Sequence, residues 1–193
     1  MKVRRRAGST SAPPAVLESI LRPIERLDRR LRHIRPVRDG AVLALETSRW
    51  RGPTVVLADG TKVRRGDPVA LVHLDNVRVN VVAEKGWQLA GIRAARADLR
   101  ALAAWAASLP TDARPVAYHA ETVLGPLARW AGFEIREPPH DPMHALRAWY
   151  MRGLLARWSR EGRGRLAHGH LPLRIVEIWL SAAELERRFG AVS

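Results

Sequence analysis

The segment from Thr54 to Val82 constrains the fold of this chain more than any other, because it is the most regular β pattern in the sequence. It opens with the apolar run Val55–Leu57, whose β-branched and bulky residues favour strands. Asp59-Gly60 then predicts a tight turn, since glycine adopts positive φ at little cost. A short basic run, Lys62–Arg65, follows, and Gly66-Asp67-Pro68 predicts a second turn.

The second half of the segment continues the β pattern. Val69–Leu74 is another apolar run, and Val77, Val79 and Val81 alternate with polar residues beyond it. Alternation with period two puts the valines on one face of a strand. We therefore expect a hairpin or meander of three short strands in a mostly antiparallel sheet with one buried face.

Helical periodicity marks four further segments. Apolar residues recur every three or four positions in 15–34, 87–109 and 141–159, and Ser181 with Glu184 forms the capping-box pattern of a last helix. Proline or glycine bounds several of these helices, as at Pro110 and Gly190.

Between the second and third of these helices lies a compact strand–helix–strand pattern. We predict a strand at Val116–His119, a helix at Ala120–Ala131 and a strand at Phe133–Ile135, and a final strand is expected at Leu173–Leu180. The fold class is therefore α+β: a mixed, mostly antiparallel sheet with helices packed on it and one β-α-β unit. The predicted organisation is a disordered basic arm (1–14), an amphipathic arginine-rich helix (15–38) and the α+β domain (39–193).

The most distinctive feature of the composition is its excess of positive charge. The chain carries 33 Lys and Arg against 19 Asp and Glu, a net charge of +14. A charge of this size attracts polyanions such as nucleic acid or an anionic membrane surface. The candidate polyanion-binding residues lie in the first helix and in a basic glycine-rich loop: Arg26, Arg29, Arg30, Arg163 and Arg165. The basic face of residues 15–34 beside an aliphatic stripe also suits binding to a membrane surface.

Several classes of chemistry lack their sequence signature. The chain has no cysteine, which excludes disulfides and thiolate catalysis. It has no Walker loop, dinucleotide fingerprint, nucleophile elbow or H-E-x-x-H pattern, so we expect no cofactor and no metal. There is no apolar leader after the N-terminal basic residues and no run long enough to span a bilayer. We expect a cytoplasmic protein, or one peripheral at the inner face of the membrane.

Four polar residues are candidates for a ligand site. His73 and Asn76 stand at the end of an apolar strand, and His119 and Glu121 stand where a strand is expected to meet a helix. Strand ends in α/β units commonly bind ligands. The structural alternative is that these side chains only satisfy hydrogen bonds within the fold.

The central segment also carries a family resemblance, through Asp59-Gly60-Thr61, Gly66-Asp67, Leu71-Val72-His73-Leu74-Asp75-Asn76 and, near the end of the chain, Trp179-Leu180-Ser181, Leu185 and Arg188. These residues resemble the YkoP-like family of small bacterial proteins, over about Val16 to Gly190. Such domains occur alone or attached to polysaccharide deacetylase domains, which implies a role in the cell envelope. The chain has no deacetylase metal motif, and the resemblance supplies no catalytic residue.

Three functional hypotheses remain open. The first is an accessory protein of envelope polysaccharide or lipid metabolism with a glycan or lipid ligand near His73, Asn76 and His119. The second is a polyanion-binding protein acting through its arginines, and the third is a peripheral membrane protein using residues 15–34. Whether the protein is an enzyme, and its oligomeric state, are not decided by the sequence.

Overall fold

A computed structural model describes residues 33–75, 78, 91–138 and 174–190. The strands are β1 (Arg35–Pro36), β2 (Leu43–Arg49), β3 (Val55–Val56), β4 (Lys62–Val63), β5 (Pro68–Leu74), β6 (Ala117–Thr122), β7 (Glu134–Arg136) and β8 (Val176–Ser181). The helices are α1 (Ile92–Ser108), α2 (Gly125–Trp130) and α3 (Ala182–Phe189), with a 3₁₀ turn at Thr111–Ala113.

Six strands form one sheet in the order β1-β2-β5-β6-β8-β7. Every neighbouring pair is antiparallel except β5 and β6, which are parallel. The predicted α+β class with a mixed, mostly antiparallel sheet is confirmed. The predicted β-α-β unit is formed by β6, α2 and β7. These two strands run in the same direction, and β8 lies between them, antiparallel to both.

The hairpin predicted at the Asp59-Gly60 turn is present. Strands β3 and β4 pair as a separate two-stranded sheet, and Gly60 has a φ of +85°. The carboxylate of Asp59 accepts a hydrogen bond from the backbone N–H of Thr61 at 2.9 Å, which closes the turn. The predicted three-strand meander is wrong, however, because β5 pairs with β2 and β6 rather than with β4. Local patterning fixes that a segment is extended, but not which strand it pairs with.

The predicted strand beyond His73 is also corrected at the one residue described there. Arg78 is helical, and its backbone N–H donates to the carboxylate of Asp75 at 3.1 Å. An aspartate that accepts from the N–H three residues later has the geometry of a helix N-cap. Cap chemistry at Asp75 therefore opposes the β pattern that the alternating valines suggested.

Helix α1 covers one face of the sheet. Its buried residues include Ala95, Leu99 and Leu102, which recur with helical spacing as the sequence predicted. Leu99 and Leu102, with Ala103 of the same helix, join the main core with residues of the sheet, of the other two helices and of the adjoining loops: Val42, Leu43, Leu45, Ala70, Tyr118, Ala128, Ala131, Phe133, Ile178, Leu180 and Leu185. A smaller cluster of Leu57, Val63, Val69, Ala117 and Trp179 forms where the β3–β4 hairpin packs on the opposite face of the sheet.

Asp98 fastens α1 to the start of β2. It is fully buried, and one carboxylate oxygen accepts from the backbone N–H groups of Val42 at 2.7 Å and Leu43 at 3.1 Å. The other oxygen lies 2.7 Å from the Arg38 guanidinium. Because Arg35–Pro36 already pairs with β2, the sheet begins before residue 39.

Ser181 ends β8 and caps α3. Its hydroxyl accepts from the backbone N–H of Glu184 at 3.0 Å, which confirms the predicted cap. The predicted arm (1–14), the predicted helices at 15–34 (apart from its last two residues) and 141–159, and the glycine-rich loop at 161–170 lie outside the described residues.

Candidate functional site

The face of the sheet opposite the main core carries a set of charged and imidazole side chains. Pairing brings Glu46, Leu71, His119, Trp179 and Glu134 into one row across five strands. Two residues further along the same strands, with the same orientation, come His73, Glu121, Glu177 and Arg136. The polar members of these rows form what we call the polar sheet face: Glu46, His73, His119, Glu121, Glu134, Arg136 and Glu177.

His119 is held firmly within this face. Its Nε2 lies 2.9 Å from a carboxylate oxygen of Glu177 on β8. Its ring packs on Trp179, with ring centroids 4.3 Å apart, and meets Trp50 nearly edge-on at 5.6 Å. Nδ1 is buried and, among the described residues, has no hydrogen-bond partner. Nε2 therefore donates to Glu177 whenever the imidazole is neutral.

A second histidine–carboxylate pair joins β5, the neighbour of β6, to β2. His73 Nε2 is 3.2 Å from a carboxylate oxygen of Glu46 on β2. The His73 side chain is 32% exposed, whereas that of His119 is 13% exposed. The His73–Glu46 pair is therefore the more accessible of the two. Both pairs join residues far apart in the sequence, and only the sheet brings them together.

Electrostatics distinguishes Glu177 from an ordinary carboxylate. Burial raises its pKa, but the hydrogen bond and electrostatic interaction with His119, together with the nearby Trp179 and Arg136, outweigh burial. The pKa of Glu177 consequently lies below its ordinary value of 4.5. Glu177 is therefore ionised at neutral pH and accepts the hydrogen bond from His119.

The β3–β4 hairpin closes one end of the polar sheet face through polar contacts. Glu134 accepts from the backbone N–H of Ala58 at 2.7 Å, and the Arg136 guanidinium donates to the Val56 carbonyl. Ser181 donates to the Asp59 carboxylate. Burial raises the pKa of Asp59, but the hydrogen bonds from Ser181 and from Thr61 outweigh burial. The pKa of Asp59 therefore lies below its usual range. These contacts hold the hairpin against the sheet, so that it borders the polar sheet face.

The structure places three of the four ligand candidates, His73, His119 and Glu121, on one face of the sheet. Asn76 lies outside the described residues. One expectation about their setting is corrected: His119 and Glu121 lie within β6, not at a strand-to-helix junction. The strand runs on to Thr122, whose hydroxyl accepts from the Leu124 N–H at 3.0 Å, and α2 begins only at Gly125.

The polar sheet face is acidic, with four carboxylates and the single guanidinium of Arg136. Among the described residues, no group of three or more histidine, aspartate or glutamate side chains is placed to hold a metal ion. Four further histidines, His140, His144, His168 and His170, lie outside the described part of the chain. Among the described helices, none combines the length and apolar character that crossing a membrane requires.

The five arginines predicted to bind polyanions, Arg26, Arg29, Arg30, Arg163 and Arg165, all lie outside the described residues. The described residues carry 17 Lys and Arg against 13 Asp and Glu, a net charge of +4 out of +14. Most of the net positive charge therefore belongs to residues outside the described ranges.

Sequence reasoning missed both carboxylate partners, Glu46 and Glu177. A signal for Glu177 was present, because Val176, Ile178 and Leu180 alternate into the main core and leave Glu177 on the other face with Trp179. No such signal identifies Glu46 as the partner of His73, since their contact depends on the β2–β5 register.

These features define a small α+β domain with helices on one face of its sheet and a histidine–carboxylate face on the other. The family model described as the YkoP domain matches residues 15–189 of the 193-residue chain. The chain belongs to this family, which confirms the resemblance found in its sequence. No curated protein and no solved structure matches the chain.

Proposed function

We propose that the polar sheet face binds a hydroxyl-rich or amino-bearing glycan of the cell envelope. The observation that carries this proposal is the pair of histidine–carboxylate contacts, His73–Glu46 and His119–Glu177, on strands of one sheet face outside the main core. Carboxylates and imidazoles accept and donate the hydrogen bonds that sugar hydroxyls need. A few convergent polar groups next to an apolar wall are typical of small-ligand sites.

The charge of the face narrows the ligand class. Four carboxylates against one guanidinium repel anionic groups and favour neutral or cationic ones. An anionic lipid headgroup is a poor match, whereas an amino sugar gains a favourable charge interaction. The envelope role suggested by the family resemblance is consistent with such a ligand. The charge of the face therefore narrows our first hypothesis to polysaccharide rather than lipid.

Calorimetric titration of the full chain with two glucosamine tetrasaccharides, one N-acetylated and one de-N-acetylated, tests the proposal. We expect binding of at least one, tighter for the de-N-acetylated form at neutral pH, and weakened roughly tenfold by His73→Ala or Glu177→Gln. The matched control is Glu186→Gln, which removes one exposed carboxylate from α3 on the other side of the sheet.

Three results would overturn the proposal. The first is the absence of binding of either sugar by the intact chain. The second is binding that His73→Ala and Glu177→Gln leave unchanged, which would put the ligand elsewhere. An equal loss in the Glu186→Gln control would also contradict it, because that residue has no place in the polar sheet face.

The other two hypotheses, polyanion binding through Arg26, Arg29, Arg30, Arg163 and Arg165 and membrane association through residues 15–34, stay proposals. Flotation with anionic vesicles that is lost on deleting residues 1–38 would support membrane association.

A further inference from the structure

The arginines of the described fold divide into two groups according to their partners. One group is engaged: Arg38 pairs with Asp98, Arg114 donates to the carbonyls of Leu109 and Ala107 at the end of α1, and Arg187 pairs with Glu184. These side chains stabilise the fold. The second group includes three arginines on α1: Arg93, Arg96 and Arg100.

These three residues form an arginine stripe along the exposed side of α1. Their spacings of three and four residues place them on one helical face, over a rise of about 10.5 Å. All three are exposed, and within the described ranges none has a carboxylate at ion-pairing distance. Like charges at these spacings destabilise a helix, so stability of α1 offers no reason for the arrangement.

We propose that the arginine stripe is a binding surface for the phosphate backbone of a nucleic acid. A guanidinium presents a planar fork of donors that matches a phosphate, and a straight row of three suits a linear array of phosphates. This site is separate from the polar sheet face, because α1 packs on the opposite side of the sheet through Leu99 and Leu102. It therefore does not depend on the proposed glycan site.

The surroundings of the stripe favour nucleic acid over a membrane surface. The exposed neighbours of the arginines on α1 are the small residues Ala97, Ala104 and Ala107. The exposed large apolar residues of the described fold are Val56 and Trp130, and neither lies on α1. A helix that binds in the membrane interface needs large apolar side chains to insert beside its cations.

Fluorescence anisotropy with a labelled 20-base-pair DNA duplex and a 20-nucleotide single strand, at 50 to 200 mM NaCl, tests the stripe. The variant is Arg93→Gln/Arg96→Gln/Arg100→Gln, since glutamine keeps helix propensity close to that of arginine. Each lost phosphate contact lowers the slope of log affinity against log salt by roughly 0.9 for duplex or 0.7 for single strand. We expect the slope to fall by about 2 or more on whichever probe binds.

The matched control removes three dispersed exposed arginines, Arg51, Arg65 and Arg129, and so subtracts the same charge. We expect this variant to change the slope by less than half as much, with both variants keeping the thermal midpoint of the parent chain. Equal losses in the two variants would mean diffuse attraction and would refute the stripe. So would failure of the intact chain to bind either oligonucleotide. Loss of binding to phosphatidylglycerol vesicles with oligonucleotide binding unchanged would assign the stripe to membranes instead.

Discussion

Replacing Asp98 by alanine is expected to be among the most destabilising single changes in the described fold. The substitution leaves the backbone N–H groups of Val42 and Leu43 buried without an acceptor and removes the partner of Arg38. Hydrogen bonds to a charged group contribute roughly 1.5–3 kcal/mol each, so two of them amount to about 3–6 kcal/mol. Arg38 is 39% exposed and can be solvated, so we add nothing for its lost ion pair.

This loss is large against the total stability of a domain, which is typically about 5–15 kcal/mol. Asp98→Asn should cost less than Asp98→Ala, because an amide oxygen still accepts from both N–H groups, although the amide NH2 cannot accept from Arg38. Urea unfolding followed by intrinsic tryptophan fluorescence, to which the buried Trp179 contributes, measures both variants. Asp39→Ala is the control, since it removes an exposed carboxylate from the turn beside Arg38 and should cost less than about 0.5 kcal/mol.

This anchoring role of Asp98 is refuted if the free energy of unfolding of Asp98→Ala lies within 1 kcal/mol of that of the parent chain, a threshold well below the roughly 3 kcal/mol minimum expected. It is equally refuted if Asp39→Ala costs as much as Asp98→Ala, because the loss would then follow charge and not burial.

Three further outcomes follow from single contacts. Tyr118→Phe should leave the free energy of unfolding unchanged or raise it by up to about 1 kcal/mol, because the buried hydroxyl has no hydrogen-bond partner among the described residues. A decrease of more than about 1 kcal/mol in the free energy of urea unfolding would contradict this. Ser181→Ala should cost about 1–2 kcal/mol in the same assay through loss of the α3 cap, and should raise the pKa of Asp59, measurable by NMR titration. Because the pKa of Glu177 is lowered in the folded state, its stabilisation is present above pH 4.5 and is lost as pH falls through the folded pKa. Glu177→Gln should therefore flatten the acid side of the stability profile, and an unchanged acid slope would count against the His119–Glu177 pair.

The strands and helices with strong local signals were predicted well. Turn chemistry located the β3–β4 hairpin, periodicity located β5 and α1, and the cap pattern located α3. The prediction failed where two local signals competed. At Asp75 the cap chemistry opposes the valine alternation, and at Thr122 the chain stays extended although the next residues favour helix.

For the candidate site, the sequence identified His73 as a polar residue at the end of an apolar strand, and His119 and Glu121 through an expected strand-to-helix junction. It did not identify their partners. Glu46 and His73 are 27 residues apart, and His119 and Glu177 are 58 apart. Such contacts depend on strand order and register, which no window of neighbouring residues contains.

The sequence by itself determined the local elements, the α+β class, the excess of arginine and the family, because propensity, turn chemistry and composition act over a few residues at a time. Only the tertiary structure decided that β5 pairs between β2 and β6, that Asp98 is buried and that two imidazoles each meet a carboxylate. The physical reason is that strand pairing and burial depend on the free energy of the whole chain. A polar side chain acquires its partner only when the sheet fixes which face it occupies.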